Sequence, residues 1–540
     1  MRPGAAHTAR AKGENQAWWT LVAMCFALFM IMLDNTIVNV ALPSIQRSLH
    51  TSPETLQWTI DAYVLTFAVL ILFGGKLGDR FGRKRMFLVG LGIFTLASAA
   101  CAQATTDTQL VAFRAVQGVG AALLNPLSLS ILVAAFPRRQ LPTAIGIWAG
   151  VSALGLSVGP LVGGFLVERV SWSAVFWVNV PIGAIAAVVC LWAVTESRDE
   201  RHRHLDAVGT ALVTTGLFAL VVALIGTSSN GWTSATTLGL LTAAAVLIAL
   251  FIAWEHHHRE PMVPLRFFLR PAFSTSTIVS LLVGFAFIGV LYLIVLYFQN
   301  VMGYSPLQAG LRTLPLTLTQ AVTAANAGRL NRTFGARTKM SVGLLLLSVG
   351  LFGLAQIQVT TSYTAIWPFQ VLLGLGMGLV MPAVAAAGMA AVAAEQSGVA
   401  SGVINASRQV GGALGIAVLG SIAATITRTD WHQQLSQLPA ATQAKAGHLT
   451  ALVVGGQGPP IAAAAGRPAE LAALASFVDG TRGALLTSSA LVLIASAVAF
   501  GGLRRRPDTA AREPRDSAAD GLAHQAGGVS HPTPVNVTPS

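Results

Sequence analysis

The sequence is poor in charge: only 10% of its 540 residues are Asp, Glu, Lys or Arg. Average soluble proteins carry about 25% charged residues, and a chain with so few cannot cover a globular surface with polar groups. Its hydrophobic share is 54% and its mean hydropathy is +0.66. This composition excludes a soluble enzyme, a disordered scaffold and a fibrous protein, and it predicts an all-α polytopic membrane protein.

Cysteine is scarce as well: Cys25, Cys101 and Cys190 each lie in a long apolar run. An odd number without paired spacing predicts neither a disulfide framework nor a zinc site. The sequence also lacks the G-x4-G-K-[ST] motif that binds nucleotide phosphates and the H-E-x-x-H and G-x-S-x-G motifs of hydrolases. We therefore expect no cofactor, no metal site and no ATP-driven step. The histidines at 201–204 and 256–258 are interpreted as solvated loop residues.

The net charge of +13 would favour a nucleic-acid partner in a soluble protein. Here the basic residues fall mostly in alternate short links between apolar segments, which the positive-inside effect explains. No nucleic-acid partner is therefore expected. Only five of the 34 basic residues are lysines, and with so much Ala and Gly this suggests a GC-rich bacterial genome. The prediction is a multi-pass protein of a bacterial cytoplasmic (inner) membrane, with the lipid bilayer as its surroundings.

Fourteen segments are long and apolar enough to cross a bilayer, which takes about 20 residues per helix. The predicted spans are 18–40, 56–75, 86–104, 109–135, 143–167, 173–194, 205–226, 236–254, 273–298, 307–328, 340–357, 364–390, 398–424 and 483–503. The first is interpreted as a helix and not as a signal peptide, because its apolar run is too long and contains Asp34. An even number of spans and the basic links place both termini in the cytoplasm.

Three segments lie outside the spans. The predicted cytoplasmic N-tail covers 1–17. The outer segment at about 425–482 is rich in Ala, Gly and Pro, and we expect a mobile loop in which "PAELAALASFV" could form a surface helix. The polar segment 504–540 is predicted to be a disordered cytoplasmic tail.

The chain repeats itself. "GKLGDRFG" at 75–82 matches "GRLNRTFG" at 328–335, and "FRAVQGVGAALLNP" at 113–126 matches "FQVLLGLGMGLVMP" at 369–382. The two pairs are separated by 253 and 256 residues. We predict two six-helix bundles, at 18–194 and 261–503, with two inserted transmembrane helices at 195–260. Parallel six-helix halves resemble the architecture of major facilitator transporters.

The link after the second span, "GGKLGDRFGRKRM", resembles the cytoplasmic G-x-L-x-D-R-x-G-R-[KR] motif of that superfamily. Its matching residues include Gly75, Asp79, Arg80, Gly82, Arg83 and Lys84. Asp79 can accept hydrogen bonds from a helix N-terminus and pair with Arg83. The resemblance implies a conformational latch that stabilises the outward-open state without binding substrate. The alternative is an ordinary basic loop.

The fourth span carries "RAVQGVGAA", which resembles the R-x-x-Q-G-x-G motif of proton-coupled members. Arg114 lies in an apolar helix, where a cation costs about 2.5–3.5 kcal/mol on insertion scales. It therefore needs an anionic partner or a polar cavity, and the resemblance implies a role in proton coupling. The alternative is an arginine that reaches the outer surface.

The fifth span has the pattern G-x8-G-x3-G-P-x2-G-G, which resembles the antiporter motif of exporters. Its residues are Gly146, Gly155, Gly159, Pro160, Gly163 and Gly164. Small residues four apart let helix backbones approach closely, so ordinary helix packing is the alternative interpretation. The resemblance implies export as the direction of transport.

Two acidic residues complete the candidate site. "LDNTIVNVALPSI" in the first span resembles the first-helix motif of the 14-helix drug:H+ antiporters and places Asp34 within the hydrocarbon, where it is predicted to exchange protons. Asp61, in "WTIDAYVLTFA", is predicted to attract a cationic substrate, or else is a carboxylate favoured by the helix dipole. In the second half Arg312 and Arg408 fall near predicted helix starts, and Gln370 replaces the repeat's arginine. The coupling machinery is therefore predicted in the first half.

The chain is thus identified as similar to the proton-coupled exporters of quaternary ammonium compounds, drugs and antibiotics. The predicted partners are a lipophilic small molecule, including cationic ones, and protons, with a monomer as the working unit. One alternative is a major facilitator importer of a small metabolite or ion. The other is an intramembrane enzyme or receptor, but the sequence offers no paired catalytic groups for an enzyme.

Overall fold

Long α-helices make up the described part of the chain. The computed structural model describes residues 3–49, 53–137, 139–198, 206–258, 261, 263–327, 335–393, 396–454, 461 and 464–503, and no strand occurs in these ranges. The predicted tail 504–540, the histidines among 201–204 and most of the repeat segment 328–335 lie outside them.

The helices follow one another in two sets of similar size. The first set comprises α1 (Pro3–Leu49), α2 (Pro53–Phe81), α3 (Arg83–Ala102), α4 (Asp107–Ala135), α5 (Leu141–Arg169), α6 (Ala174–Trp177) and α7 (Asn179–Ala193). Two helices follow, α8 (Ala207–Asn230) and α9 (Ala235–His257). The second set comprises α10 (Pro271–Leu296), α11 (Pro306–Arg312), α12 (Leu314–Ala327), α13 (Ala336–Leu354), α14 (Tyr363–Ala390), α15 (Ser397–Leu435), α16 (Ala440–Gln443), α17 (Ala446–Val454) and α18 (Arg467–Gly502). A short 3-10 turn at Leu265–Phe267 precedes α10, and a π-helical turn at Tyr297–Val301 follows it.

Thirteen of these helical segments are long and apolar enough to cross a membrane by length and composition. The predicted span 307–328 differs, because the structure divides it into α11 and α12 at Thr313. Pro315 lies two residues after the break. Proline has no N–H to donate to the carbonyl four residues earlier and its ring clashes there, so a continuous helix is disfavoured. Helix α1 begins at Pro3 and therefore includes most of the predicted N-tail 1–17.

Where the structure describes it, the outer segment 425–482 is helical and packed, so the expectation of a mobile loop is wrong for those residues. Helix α15 continues to Leu435 and α18 begins at Arg467, which makes "PAELAALASFV" the first turns of the last span. An apolar cluster of its own holds the segment together, with Trp431, Leu449 and Val453 fully buried. Alanine-rich sequence favours helix, and burial of these larger side chains supplies the packing energy.

Two pairs of helices make the most extensive contacts between the two sets. Helix α5 packs along α12, and α2 packs along the first part of α15. The inserted helices α8 and α9 pack against each other, and α8 also contacts α2 and α15. The helices that bridge the two halves are therefore the ones that carry the predicted latch and antiporter motifs.

Candidate functional site

A buried ion pair joins α1 and α4. Arg114 Nη1 lies 2.6 Å from Asp34 Oδ2, and the two side chains are 1% and 0% exposed. Arg114 Nε donates to the carbonyl oxygen of Thr59 at 3.0 Å, which ties α2 to the pair. The arginine therefore does not reach the outer surface: its partner is a carboxylate inside the protein.

Amide side chains from α4 and α7 complete the environment of Asp34. Gln117 Nε2 and Asn179 Nδ2 both donate to Asp34 Oδ1 at 2.9 Å. Both amides also donate to Ser98 Oγ, at 2.6 and 3.2 Å, and Gln117 Oε1 accepts from Arg114 at 2.6 Å. The carboxylate of Asp34 thus accepts from three side chains, one of them the cation of Arg114.

Aromatic rings close this polar cluster. The guanidinium carbon of Arg114 lies 4.2 Å from the centre of the Tyr63 ring and 5.9 Å from that of Phe176. Both rings are fully buried, and the Tyr63 hydroxyl has no hydrogen-bond partner among the described residues. The sequence alone assigned no role to Ser98, Asn179 or Tyr63, which lie on α3, α7 and α2.

The second half holds an apolar counterpart of this cluster. The residues 256 positions after Asp34, Arg114 and Gln117 are Val290, Gln370 and Leu373. All three line one apolar cavity between α10, α12, α13, α14 and α18. Gln370 is 1% exposed, and its Oε1 lacks a partner in the part of the chain that the structure describes. The charged cluster is therefore confined to the first half at this position of the repeat.

The glycines of α5 face two different partners. A Cβ atom on Gly155 would lie 2.8 Å from Met32 Cβ and 2.9 Å from the carbonyl oxygen of Phe29, and Gly159 and Gly163 are crowded in the same way by α1. Gly146 instead contacts the backbone of Ala324 on α12. The motif glycines thus allow one side of α5 to pack closely against α1, which carries Asp34, and the other side to pack against the second half.

The outer end of α5 also reaches the second half. Pro160 contacts Gly310 of α11, whereas Gly164 has looser surroundings, with Leu307 as its nearest neighbour at 3.5 Å from a built Cβ. Only part of the motif therefore depends on the absence of a side chain.

Asp79 joins the two halves at the end of α2. Arg83 donates to Asp79 Oδ1 from Nε at 3.0 Å and from Nη2 at 2.8 Å, and Val399 N–H donates to Oδ2 at 3.1 Å. Val399 is in the first turn of α15, so Asp79 accepts from a helix N-terminus, where a negative charge is favoured. Both Asp79 and Arg83 are buried.

The remaining residues of this motif shape the contact. Gly75 packs against the carbonyl of Gly398, which leaves no room for a Cβ atom. Gly82 has a positive φ of 104° and joins α2 to α3. Lys84 Nζ donates to the carbonyl oxygen of Leu191 at 2.9 Å, and Arg80 stacks on Phe81 with 4.8 Å to the ring centre.

Glu196, which sequence analysis missed, supports the same turn. Its carboxylate accepts from the backbone N–H of Lys84 at 3.0 Å and of Arg85 at 3.2 Å. It caps the first turn of α3 and places the link after α7 next to the latch.

The remaining charged residues of the candidate site lie on other parts of the helices. Asp61 is a half-buried residue of α2. Arg312 stacks on Tyr304, 3.6 Å from the ring centre, beside the break between α11 and α12. Arg408 lies 11 residues after the start of α15, far deeper than the helix start assigned from sequence. Within the described ranges no group of three or more His, Cys, Asp or Glu side chains could hold a metal ion.

The chain is similar to a known protein family and to several named proteins. A profile of the Major Facilitator Superfamily matches residues 24–416. The tetracenomycin C resistance and export protein of Streptomyces glaucescens is 37% identical over 520 residues, which cover 94% of this chain and 96% of that protein. The multidrug resistance protein Stp of Mycobacterium tuberculosis is 39% identical over 406 residues, 75% of each chain.

Solved structures show the same fold at low sequence identity. The human organic anion transporter MFSD10 (TETRAN) is 14% identical, with a TM-score of 0.61 over 89% of this chain and 99% of that one. The proton:xylose symporter XylE is 13% identical, with a TM-score of 0.59 over 90% and 95% of the two chains.

The crowding at Gly155 leads to a prediction about thermal stability. Gly155→Ala must push α1 away from α5, because the new methyl group meets a backbone carbonyl and a Cβ atom, and we expect a loss of about 1–3 kcal/mol. Gly164→Ala, in the same motif, has room for its methyl group and should unfold within a degree or two of the unmodified protein. Thermal unfolding of both variants in detergent measures the difference. Equal stability of the two would contradict the packing described for α1 and α5.

The predicted latch of Asp79 and Arg83 leads to a second prediction. Asp79→Asn leaves Arg83 buried without its carboxylate, and losing a buried charge-assisted hydrogen bond shifts the conformational equilibrium by about 10- to 100-fold. Turnover should therefore fall while substrate affinity changes little, which binding and transport assays on purified protein measure separately.

Arg85→Gln is the matched control for the latch. It removes a cation from the same turn, but that side chain is 76% exposed and lies 3.9 Å from Glu196, so little change is expected. If Asp79→Asn abolishes affinity and spares turnover, Asp79 is not part of a latch.

Proposed function

Because this chain belongs to the major facilitator superfamily, we propose that it is a proton-coupled exporter of lipophilic small molecules, such as antibiotics and other drugs. Members of the superfamily are in general carriers and not enzymes. The named relatives in Streptomyces and Mycobacterium are resistance and export proteins, which favours export over the alternative of a metabolite importer.

The observation that supports proton coupling is the buried ion pair of Asp34 and Arg114. If Asp34 takes up a proton, it no longer balances the charge of Arg114, and a cation left unpaired in a low-dielectric interior is strongly unfavourable. Protonation therefore favours another arrangement of α1 and α4, in which Arg114 gains water or a different partner. One proton is thus able to select between two conformations.

Helix α5 supports the transmission of this change to the second half. Gly155 sits against the turn of α1 that precedes Asp34, and Gly146 sits against α12. Because close-packed helices move as rigid elements, a displacement of α1 displaces α5 relative to α12. This coupling is our assignment for the antiporter motif.

The latch of Asp79, Arg83 and Val399 closes the two halves at one end of the molecule. We assign that end to the cytoplasm, from the basic links of the sequence, so the closed latch belongs to the outward-facing state. On the same grounds we place both termini in the cytoplasm and the chain in a bacterial cytoplasmic membrane, working as a monomer. Asp61, nearer the outer surface, is proposed to attract cationic substrates.

Proton movement in vesicles tests the function. In energised inside-out vesicles that contain the protein, tetracenomycin C or the lipophilic cation ethidium should release protons from the lumen, as measured with a pH-sensitive dye. A membrane potential contributes about 2.3 kcal/mol per charge per 100 mV, which is enough for concentrative transport with one or two protons. Asp34→Asn should abolish this response for both compounds.

Asp479→Asn is the matched control for Asp34. Asp479 also pairs with an arginine, Arg482, but its side chain is 43% exposed, and removing its charge should leave the proton response intact. Transport that continues after collapse of the proton gradient, without any proton movement, would exclude proton coupling. A fully active Asp34→Asn variant would exclude Asp34 as the carrier.

A further inference from the structure

Arg408 lies at mid-depth in the protein. It follows the first residue of α15 by 11 positions, a rise of about 16 Å, and the hydrocarbon core of a bilayer is about 30 Å thick. The backbone of α15 at this point packs on Gly284 of α10. A charged residue at such a depth in a membrane protein is costly and points to a functional role.

Neighbouring helices enclose the part of α15 around Arg408. From 397 to 410 no residue of α15 is exposed. Gly402 lies against α2, Ile404 against α10 and α14, and the backbone at 408 and 411 against α10. Arg408 is nevertheless only half-buried, as are its neighbours Ser407 and Gln409. The Arg408 side chain is therefore accessible in part, and it lies on the helix that packs against α2 of the first half.

No negative charge balances Arg408 among the described residues. Within the described ranges its one side-chain hydrogen bond runs from Nη2 to Asn405 Oδ1 at 3.2 Å, and its buried Nε has no acceptor. Asn405 is held in place in turn, because its Nδ2 donates to the carbonyl oxygen of Ser401 at 3.0 Å. The guanidinium is thus oriented by a neutral amide and left with its charge uncompensated.

The other interior arginines differ from Arg408. Arg114 and Arg83 each have a carboxylate within 2.8 Å, and Arg312 stacks on a tyrosine ring. A buried charge without a partner is unfavourable, and a ligand that supplies the missing charge would remove that penalty. We propose that Arg408 binds the acidic group of an anionic, lipophilic substrate.

The chemistry of the guanidinium defines the ligand class. Its planar donors match a carboxylate, a phenolate or an enolate on an otherwise apolar molecule. This inference rests on the proposed export function and adds a second charged anchor, at Arg408, to the cation-attracting Asp61. Opposite charges at separate positions would let one carrier accept acids and amines through different contacts.

Three probes that share one ring system test this division. They are anthracene-9-carboxylate, its neutral amide anthracene-9-carboxamide, and the cation 9-(aminomethyl)anthracene. Binding of each to the purified full-length protein is followed by anthracene fluorescence. Arg408→Gln should weaken binding of the carboxylate by about 10-fold or more, and it should leave the amide within about 2-fold. Asp61→Asn should weaken the amine alone.

Arg408→Lys separates charge from geometry. It keeps the charge but loses the fork of donors, so we expect intermediate affinity for the carboxylate. Equal carboxylate binding by the unmodified protein and Arg408→Gln, or no carboxylate binding by either, would overturn the inference. Failure of the export function is a distinct result, in which the unmodified protein moves none of the three probes in energised vesicles.

The thermal stability of the ligand-free variants excludes a merely structural role. Removing a charge that has no partner should leave stability unchanged or raise it in Arg408→Gln, whereas Arg114→Gln strands Asp34 and should lower it. A marked loss of stability in Arg408→Gln would mean that the arginine serves folding, and would count against the proposed site.

Discussion

Charge in a low-dielectric interior is costly unless it is paired, and this constraint organises the structure. Asp34 and Arg114 satisfy each other with Gln117 and Asn179 as additional donors, and Asp79 satisfies Arg83. Breaking a buried pair by removing one partner costs about 3–5 kcal/mol. Each pair therefore strongly stabilises one arrangement of the helices. A proton on either carboxylate removes that preference, which makes the pairs suitable as switches.

Two helices connect these ion pairs with both halves of the protein. Helix α15 begins at the latch, where Val399 N–H binds Asp79, and it holds Arg408 further along. Helix α5 lies against α1 through Gly155 and against α12 through Gly146. Because packed helices have discrete alternative arrangements and are not continuously deformable, a change at the latch and a change at Asp34 act on the same interface between the halves.

Much of the fold and part of the site follow from local sequence. Hydropathy and length locate most spans, and Asp79 and Arg83 are four residues apart, so their pairing within one turn can be anticipated. The position of Arg114 in an apolar helix required an anionic partner. The break at Thr313 also had a local signal in Pro315, which the span assignment passed over.

The remaining contacts could not be anticipated because they join distant parts of the chain. Asp34 and Asn179 are 145 residues apart, and Asp79 and Val399 are 320 apart; a single sequence carries no information on such pairs. The outer segment was assigned as a loop because its many Ala and Gly residues give little hydropathy. Its packing depends on a few large side chains such as Trp431, whose burial becomes evident only in three dimensions.

The charge of the substrate decides which part of the proton gradient drives the proposed cycle. A proton that enters carries one positive charge inward, and an anion that leaves an Arg408 site carries one negative charge outward. With the interior negative, both movements are favourable, and each contributes about 2.3 kcal/mol per 100 mV. A neutral drug gains from one charge only, and a monovalent cation exchanged for one proton gains from none and depends on the pH difference alone. An acidic substrate is therefore the class for which a single proton at Asp34 provides the largest driving force.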